Sequence, residues 1–302
     1  MTLALIVNPH AGGGRAGRAL GQVTDALKAL GLDHHVELTE SLDHARELAI
    51  SAARAGETAV AFGGDGLIGA VAGALADGPG VLGVLPGGRG NDFARALGIP
   101  LDPGEACQVL AGGATAKIDL GEIGSRTFIG IASCGFDSIA NRIANETRLV
   151  RGNLVYAYGA LRALAGWRPA TFTVRIGGEP PRIVTGFTVA AANSNYYGGG
   201  MMMAPSADLH DGQLDIVIIH QIPKLRFLRL LPTVFSGRHV DQPSVEVVRA
   251  ARVEISASRP FTMYADGDPI GELPVTVGIR PAAVRALVPA AGIPRSPRVA
   301  AS

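Results

Sequence analysis

The chain has 302 residues, enough for two domains. Its 47% apolar content can supply a core, and 18% charged residues are too few for a disordered chain. A net charge of +1 without a Lys/Arg block gives no nucleic-acid-binding face.

Met1 to Val7 lacks a basic leader and breaks at Asn8-Pro9, so it reads as a first strand (Thr2–Val7) and not a signal peptide. No window nears the ~18 unbroken apolar residues of a membrane span. After the loop Asn8–Gly14, Leu20, Val23, Leu27 and Leu30 fall at helical spacing, which predicts a helix from Ala16 to Leu30 stopped by Gly31. His35–Leu38 is a second strand. Ser41 caps a helix running to about Ala55. The strand Ala59–Phe62 ends at Gly63-Gly64-Asp65-Gly66, and a helix follows from Leu67 to Leu75. Gly80–Leu85 is a fourth strand, followed by the loop Pro86–Asp92 and a helix from Phe93 to Leu97.

Strands alternating with helices predict a parallel sheet, whose ligands lie outside the carboxyl ends of the strands. Three of the four strands end in glycine-rich loops, which therefore converge on one edge. Glycines let a large anion lie against the main chain, and a helix N-terminus adds free N–H groups and its dipole. Asp65 cannot bind phosphate directly, because like charges repel. It must hold a cation or take a proton, and the pattern suggests phosphoryl transfer. Gly12–Gly17 also matches G-x-G-x-x-G, with Glu37 20 residues beyond Gly17, the dinucleotide fingerprint of a dehydrogenase. A dehydrogenase has no need of the two further glycine loops. No P-loop, zinc-protease or serine-hydrolase motif is present.

From Lys117 the pattern changes. Ile118–Ile123 and Thr127–Ser133 read as a hairpin about Gly124-Ser125, and helices are predicted from Gly135 and over Asn153–Trp167. Ala170–Gly177, Arg182–Ala192, Leu214–His220, Val245–Ser256, Phe261–Ala265, Val275–Ile279 and Val284–Val288 read as strands. This is an antiparallel sandwich. In Lys224–Leu231, helical projection puts Phe227, Leu228, Leu231, Val234 and Phe235 on one side, with Arg226 and Arg229 opposite. Such a face packs on its own domain or touches anionic lipid. Met201–Met203 fill core or line an acyl site. Cys107 and Cys134 read as reduced thiols of a cytosolic protein. The seven histidines read as surface or turn residues.

Asn8-Pro9 with its trailing glycines, Gly63-Gly64-Asp65-Gly66, and the segment Pro86 to Pro100 together resemble the diacylglycerol kinase catalytic family. The likeness is to its soluble bacterial lipid-kinase branch, related to sphingosine kinases and NAD kinases, and continues through Asn193–Asp215 and Tyr264–Asp268. It implies an N-terminal Rossmann-like domain (1–115, completed by about 282–290) and a C-terminal β-sandwich lipid-substrate domain (116–281), with the active site in the cleft between them; residues 291–302 read by their Pro/Ser/Arg composition as a disordered tail. It implies ATP as donor, bound at Asn8, Gly12, Gly13, Gly14, Thr39, Gly63, Gly64, Asp65, Gly66, Gly88, Arg89, Gly90 and Asn91. The family also places a structural Mg²⁺ at the matching Asp211, with carbonyls at Asp208 and Gln213.

Asp266-Gly267-Asp268 reads by itself as a hairpin turn. The resemblance implies instead an acidic turn acting with Asp65, although the family has Glu where this chain has Asp268. The family also has Thr at the place of Leu67, often Asn and Glu at those of Gly69 and Ala70, and Gly-Thr-Gly-Asn where this chain has Gly88-Arg89-Gly90-Asn91. These departures resemble a variant seen in actinobacterial members. The resemblance implies catalysis by Asp65, Asp266 and Asp268 with Mg²⁺, one aspartate holding the metal and another taking the hydroxyl proton. It implies a diacylglycerol-like lipid as acceptor, giving phosphatidic acid. The expected setting is cytoplasmic, peripheral at the inner face of the membrane, with a homodimer possible through an exposed strand edge. The alternatives are a sphingosine-type kinase, an NAD kinase, a dehydrogenase and a non-catalytic nucleotide sensor.

Overall fold

A computed structural model of the chain describes residues 1–147 and 154–294, divided into two compact units. The first holds Met1–Leu120, Leu209–Asp211 and residues 280–294; the second holds Gly121–Asp208 and Gly212–Ile279. The predicted tail from residue 295 onward, and the predicted helix start at Asn153, lie outside the described residues.

The first unit begins β1 (Leu3–Val7), α1 (Ala11–Ala29), β2 (His34–Leu38), α2 (Leu42–Arg54), β3 (Thr58–Gly63), α3 (Asp65–Leu75), β4 (Val81–Pro86), α4 (Asp92–Ala96) and α5 (Pro103–Gly112). The strands lie in the order β2-β1-β3-β4, all parallel. Every residue of β1 and β3 is buried, which is why β1 is apolar throughout and β3 is apolar from Ala59 to Phe62. Helix α2 packs with α3 and α1 with α5, covering the sheet. Ser41 Oγ accepts from His44 N at 3.0 Å, the expected cap of α2. The chain pattern left α5 unread, although its signals are present: Asp102 Oδ1 accepts from Glu105 N at 3.0 Å, and Pro103 opens the first turn.

The chain continues as β5 (Ala114–Ile123), β6 (Arg126–Phe128), β7 (Ile131–Gly135), α6 (Phe136–Glu146), α7 (Leu154–Gly166), β8 (Ala170–Ile176), β9 (Arg182–Ala192), β10 (Leu214–His220) and α8 (Lys224–Leu230). After two 3₁₀ turns come β11 (Val245–Ala250), β12 (Arg252–Ala257), β13 (Thr262–Ala265), β14 (Asp268–Glu272) and β15 (Val275–Val288). The second unit is antiparallel. β9 pairs with β8, β7 and β10; β10 pairs with β11, β12 with β8, and β13 with β7 and β14. Its core centres on stacked Phe187 and Phe227, 3.9 Å between ring centroids, with Phe136 set edge-on to Phe227 at 4.8 Å. Both cysteines are free and buried. His239 departs from the surface reading: it is fully buried, with Nε2 3.0 Å from Met203 O.

The strands differ from the sequence pattern at three places. Val245–Ser256 breaks at Ala251 into β11 and β12, which pair with different partners. Val275–Ile279 and Val284–Val288 are one strand, β15. Its Val275 to Gly278 pair antiparallel with β12, and its Arg285 and Ala286 run parallel to β4 in the first unit. Ala282 has φ +51 there, and its N–H is held by Asp119 Oδ1 at 2.6 Å. Thr127–Ser133 is interrupted at Ile129-Gly130, where β6 leaves β5 and β7 joins β9 and β13. Asp266 causes this switch, because Oδ2 accepts from Ile129 N and Oδ1 from Gly130 N, each at 2.9 Å. Asp266 and Gly267 have φ +52 and +93, the geometry of a primed hairpin turn between β13 and β14.

Removing the Asp266 carboxylate orphans two buried N–H groups, at about 1–3 kcal/mol each. Asp266→Ala is expected to lower the urea midpoint clearly and Asp266→Asn less, since Asn keeps one acceptor. An unchanged midpoint for Asp266→Ala would show that the turn does not depend on this acid.

Candidate functional site

The strand order 2-1-3-4 reverses direction between β1 and β3, and ligands of such sheets bind outside the carboxyl ends of the strands at that switch point. The register puts these ends level: Val7 opposite Phe62, Phe62 opposite Leu85, and Gly63 opposite Pro86. The loops that follow β1, β3 and β4 therefore start from one rim.

Within the first unit these loops meet backbone to backbone. Gly87 N donates to Gly63 O at 2.7 Å. A Cβ on Gly88 would lie 2.5 Å from Gly64 Cα, and one on Gly12 would lie 2.5 Å from Gly87 O. No side chain fits at either place. Gly12, Gly13 and Gly14 have φ +61, +72 and +85, so the first turn assigned to α1 is a left-handed loop that only glycine adopts cheaply. Asn91, also left-handed at φ +53, closes the loop after β4: its Oδ1 accepts from Gly88 N at 2.8 Å. Asn8 lies at the end of β1, its N–H on Phe62 O and its Oδ1 accepting from His10 N, both at the rim. Thr39 follows β2, is buried, and donates its hydroxyl to Ser41 O at 3.1 Å. Arg89 is exposed on the loop after β4.

Asp65 opens α3 and is partly buried. Its Oδ1 accepts from Phe93 N at 2.9 Å, which ties the loop after β3 to the start of α4. Burial raises its pKa, while backbone N–H groups of Phe93, Asp92 and Asn91 oppose that rise. A second acid converges on it. A Cβ on Gly90 would stand 2.9 Å from Asp92 Oδ2 and 3.2 Å from Asp65 Oδ2, so both oxygens flank one glycine. Sequence reading passed over Asp92 because it sits in the same loop as the more conspicuous glycines. It also passed over Arg15 and Arg18. With Gln22, Gly87, Gly88 and Asn91, these line a cavity of about 330 Å³ beside the glycine loops. Their spacing of three on a helix, just after a glycine loop, was the available signal.

The residue after the acidic turn, Leu67, is buried, and its Cδ2 would be 2.7 Å from a Cβ on Gly63. An apolar lid on Gly63 thus replaces the hydroxyl expected there. In the second unit, both oxygens of Asp266 are engaged by backbone, and Asp268 is exposed in β14. Asp211 belongs to the first unit, and Asp208 and Gln213 to the second, with Gly212 at φ +68 between them. Among the described residues no group of three or more His, Cys, Asp or Glu side chains gathers as a metal site. An all-oxygen set of one carboxylate and backbone carbonyls is not of that kind.

The second unit has its own cavity, of about 420 Å³, lined by Phe136, Ala140, Leu161, Met201 and Leu231 among others, with Asp137 as its one acidic side chain among the described residues. Met201 lines it, whereas Met203 is buried core. The run is therefore split between the core and the wall of this cavity.

Two family models match the chain: the diacylglycerol kinase catalytic domain over residues 2–123, and the YegS C-terminal NAD kinase beta sandwich-like domain over residues 130–288. The chain is 37% identical over 237 residues to a diacylglycerol kinase of Mycobacterium tuberculosis, covering 76% of each. It is 32% identical over 221 residues to a diacylglycerol kinase of Bacillus subtilis, covering 71% of this chain and 72% of that one. The crystal structure of a diacylglycerol kinase from Bacillus anthracis shares its fold, with TM-score 0.74 at 20% identity over 96% of this chain and 97% of that chain. So does an NAD kinase from Archaeoglobus fulgidus in complex with ATP, with TM-score 0.51 at 15% identity over 95% and 93%. The chain shares its fold with solved kinases and belongs to the diacylglycerol kinase catalytic family as an ATP-dependent lipid kinase.

Proposed function

We propose that the acceptor is diacylglycerol and the product phosphatidic acid. The observation that carries the donor side is the contact of Gly12, Gly64, Gly87 and Gly88, whose missing side chains let the three loops close on one another at the carboxyl rim of the sheet, where such sheets bind their ligands. Arg15 and Arg18 supply positive charge beside it. Asn8, Thr39, Gly13, Gly14, Gly63, Gly66, Arg89, Gly90 and Asn91 complete the proposed ATP site. The paired oxygens of Asp65 and Asp92 suit a hard cation such as Mg²⁺, which when bound neutralises charge on the transferring phosphoryl group. Asp211, with carbonyls at Asp208 and Gln213, is the proposed structural Mg²⁺ set. Asp65 is the proposed base or metal carboxylate. Asp266 and Asp268 are assigned to the acceptor side, where the engaged oxygens of Asp266 favour a positioning role.

The acceptor reading is supported by the 420 Å³ cavity, whose apolar lining suits acyl chains, and by relatives named diacylglycerol kinase. The same unit offers a membrane-facing surface. Leu225, Phe235 and Leu161 are 62%, 58% and 54% exposed, and Arg226 and Arg229 are exposed on α8 between apolar neighbours. Of the face predicted to pack, Phe227 and Val234 are buried while Leu228 and Phe235 are not. Apolar side chains interleaved with arginines suit the interface of an anionic bilayer. Among the described residues no helix is long and apolar enough to cross a membrane.

With labelled ATP and Mg²⁺, diacylglycerol is expected to take label in preference to sphingosine, phosphatidylglycerol or NAD; label on sphingosine or NAD alone would contradict the acceptor assignment. Asp65→Asn preserves an acceptor for Phe93 N, so it is expected to fold normally yet lower kcat by about 100-fold or more. Near-full turnover would remove Asp65 from the mechanism. Arg226→Glu with Arg229→Glu is expected to cut sedimentation with anionic vesicles at least about tenfold, at about 1 kcal/mol per charge lost. Unchanged sedimentation would rule out this face.

A further inference from the structure

Asp137 stands out in the second-unit cavity. It lies in the first turn of α6, is 9% exposed, and lines a space walled also by Phe136, Leu161, Met201, Leu231 and Tyr197 among others. Its Oδ2 is buried with no hydrogen-bond partner among the described residues. No Lys, Arg or His side chain lines the cavity among those residues, so nothing there offsets a charge. The groups facing the carboxyl are the Thr188 hydroxyl from β9, the Tyr197 hydroxyl from the loop after it, and the Cys134 thiol from β7. Burial raises the pKa of that thiol, so it stays neutral. The two hydroxyls favour the carboxylate, but burial outweighs them and pushes the Asp137 pKa up to about 7.

A neutral carboxylic acid has an O–H that needs an acceptor. An acyl chain filling an apolar cavity brings one kind of uncharged acceptor with it, the ester carbonyl. We propose that Asp137 is a specificity-determining residue, donating a hydrogen bond from its buried carboxyl group to an ester carbonyl of the acceptor lipid. This rests on the lipid-kinase reading and deepens it. An unacylated sphingoid base has no ester, and its ammonium would require the carboxylate instead. The residue thus selects the class of acceptor rather than the chemistry of transfer.

The test compares dioleoylglycerol with its dialkyl ether analogue, which lacks the carbonyls, and with sphingosine, using ATP and Mg²⁺ in mixed micelles. The wild-type protein is expected to prefer ester over ether by about tenfold in kcat/KM, the worth of one hydrogen bond of about 1.4 kcal/mol. Asp137→Asn keeps a donor and is expected to retain most of that ratio. Asp137→Leu should bring the ratio to about 1 without changing the KM for ATP. On the wild-type protein, which avoids any folding defect of the variants, the ratio should fall as pH rises from about 6 to about 8.5. The donor form is present below the folded pKa and lost above it. An ester-to-ether ratio that moves neither with pH nor in Asp137→Leu overturns the proposal. So does sphingosine as the better acceptor, with Asp137→Asn as damaging as Asp137→Leu, which would mean that a carboxylate pairs with an amine. Transfer to no lipid at all would overturn the lipid-kinase reading itself.

Discussion

The site of the first unit depends on the closeness of two main chains. Gly64 and Gly88 approach until a single methyl at Gly88 would sit 2.5 Å from the opposite Cα, closer than real Cβ contacts come. Everything nearby is arranged around that approach. Asn91 bonds across its own loop to Gly88, Asp65 reaches from β3's loop to Phe93, and Gly12 is pressed against Gly87 O. Loops joined this tightly cannot shift to make room for side chains.

Much of this was legible because it is local. Apolar runs ending in glycine mark buried strands and their exits, and level register then carries the three exits to one rim. What escaped was set by partners far away in sequence. Nothing within Thr127–Ser133 says that its middle N–H groups belong to Asp266, residues distant along the chain, so the strand was read as unbroken. The break at Ala251 has the same origin, since the two halves serve different neighbours. Asp137 likewise looks ordinary at the start of a helix. It becomes distinctive only once β7, β9 and the loop after β9 bury it.

The acids illustrate how one residue can answer to two demands. Asp65 links two loops through one oxygen while its other oxygen faces the glycine shared with Asp92. Asp266 has both oxygens committed to backbone, which fits it for holding a turn more than for moving a proton. Leu67, where the family has a hydroxyl residue, adds to the core over Gly63 rather than to the proposed site.

The most direct measurement is the affinity of Gly88→Ala for ATP by calorimetric titration, set beside Gly21→Ala, a helix glycine with open space at its Cβ position. The account predicts that Gly21→Ala binds ATP as the wild type does, while Gly88→Ala, forced to part the loops, loses at least about tenfold, or 1.4 kcal/mol. Equal affinity of Gly88→Ala and wild type would contradict the claim that the joined glycine loops form the nucleotide cradle.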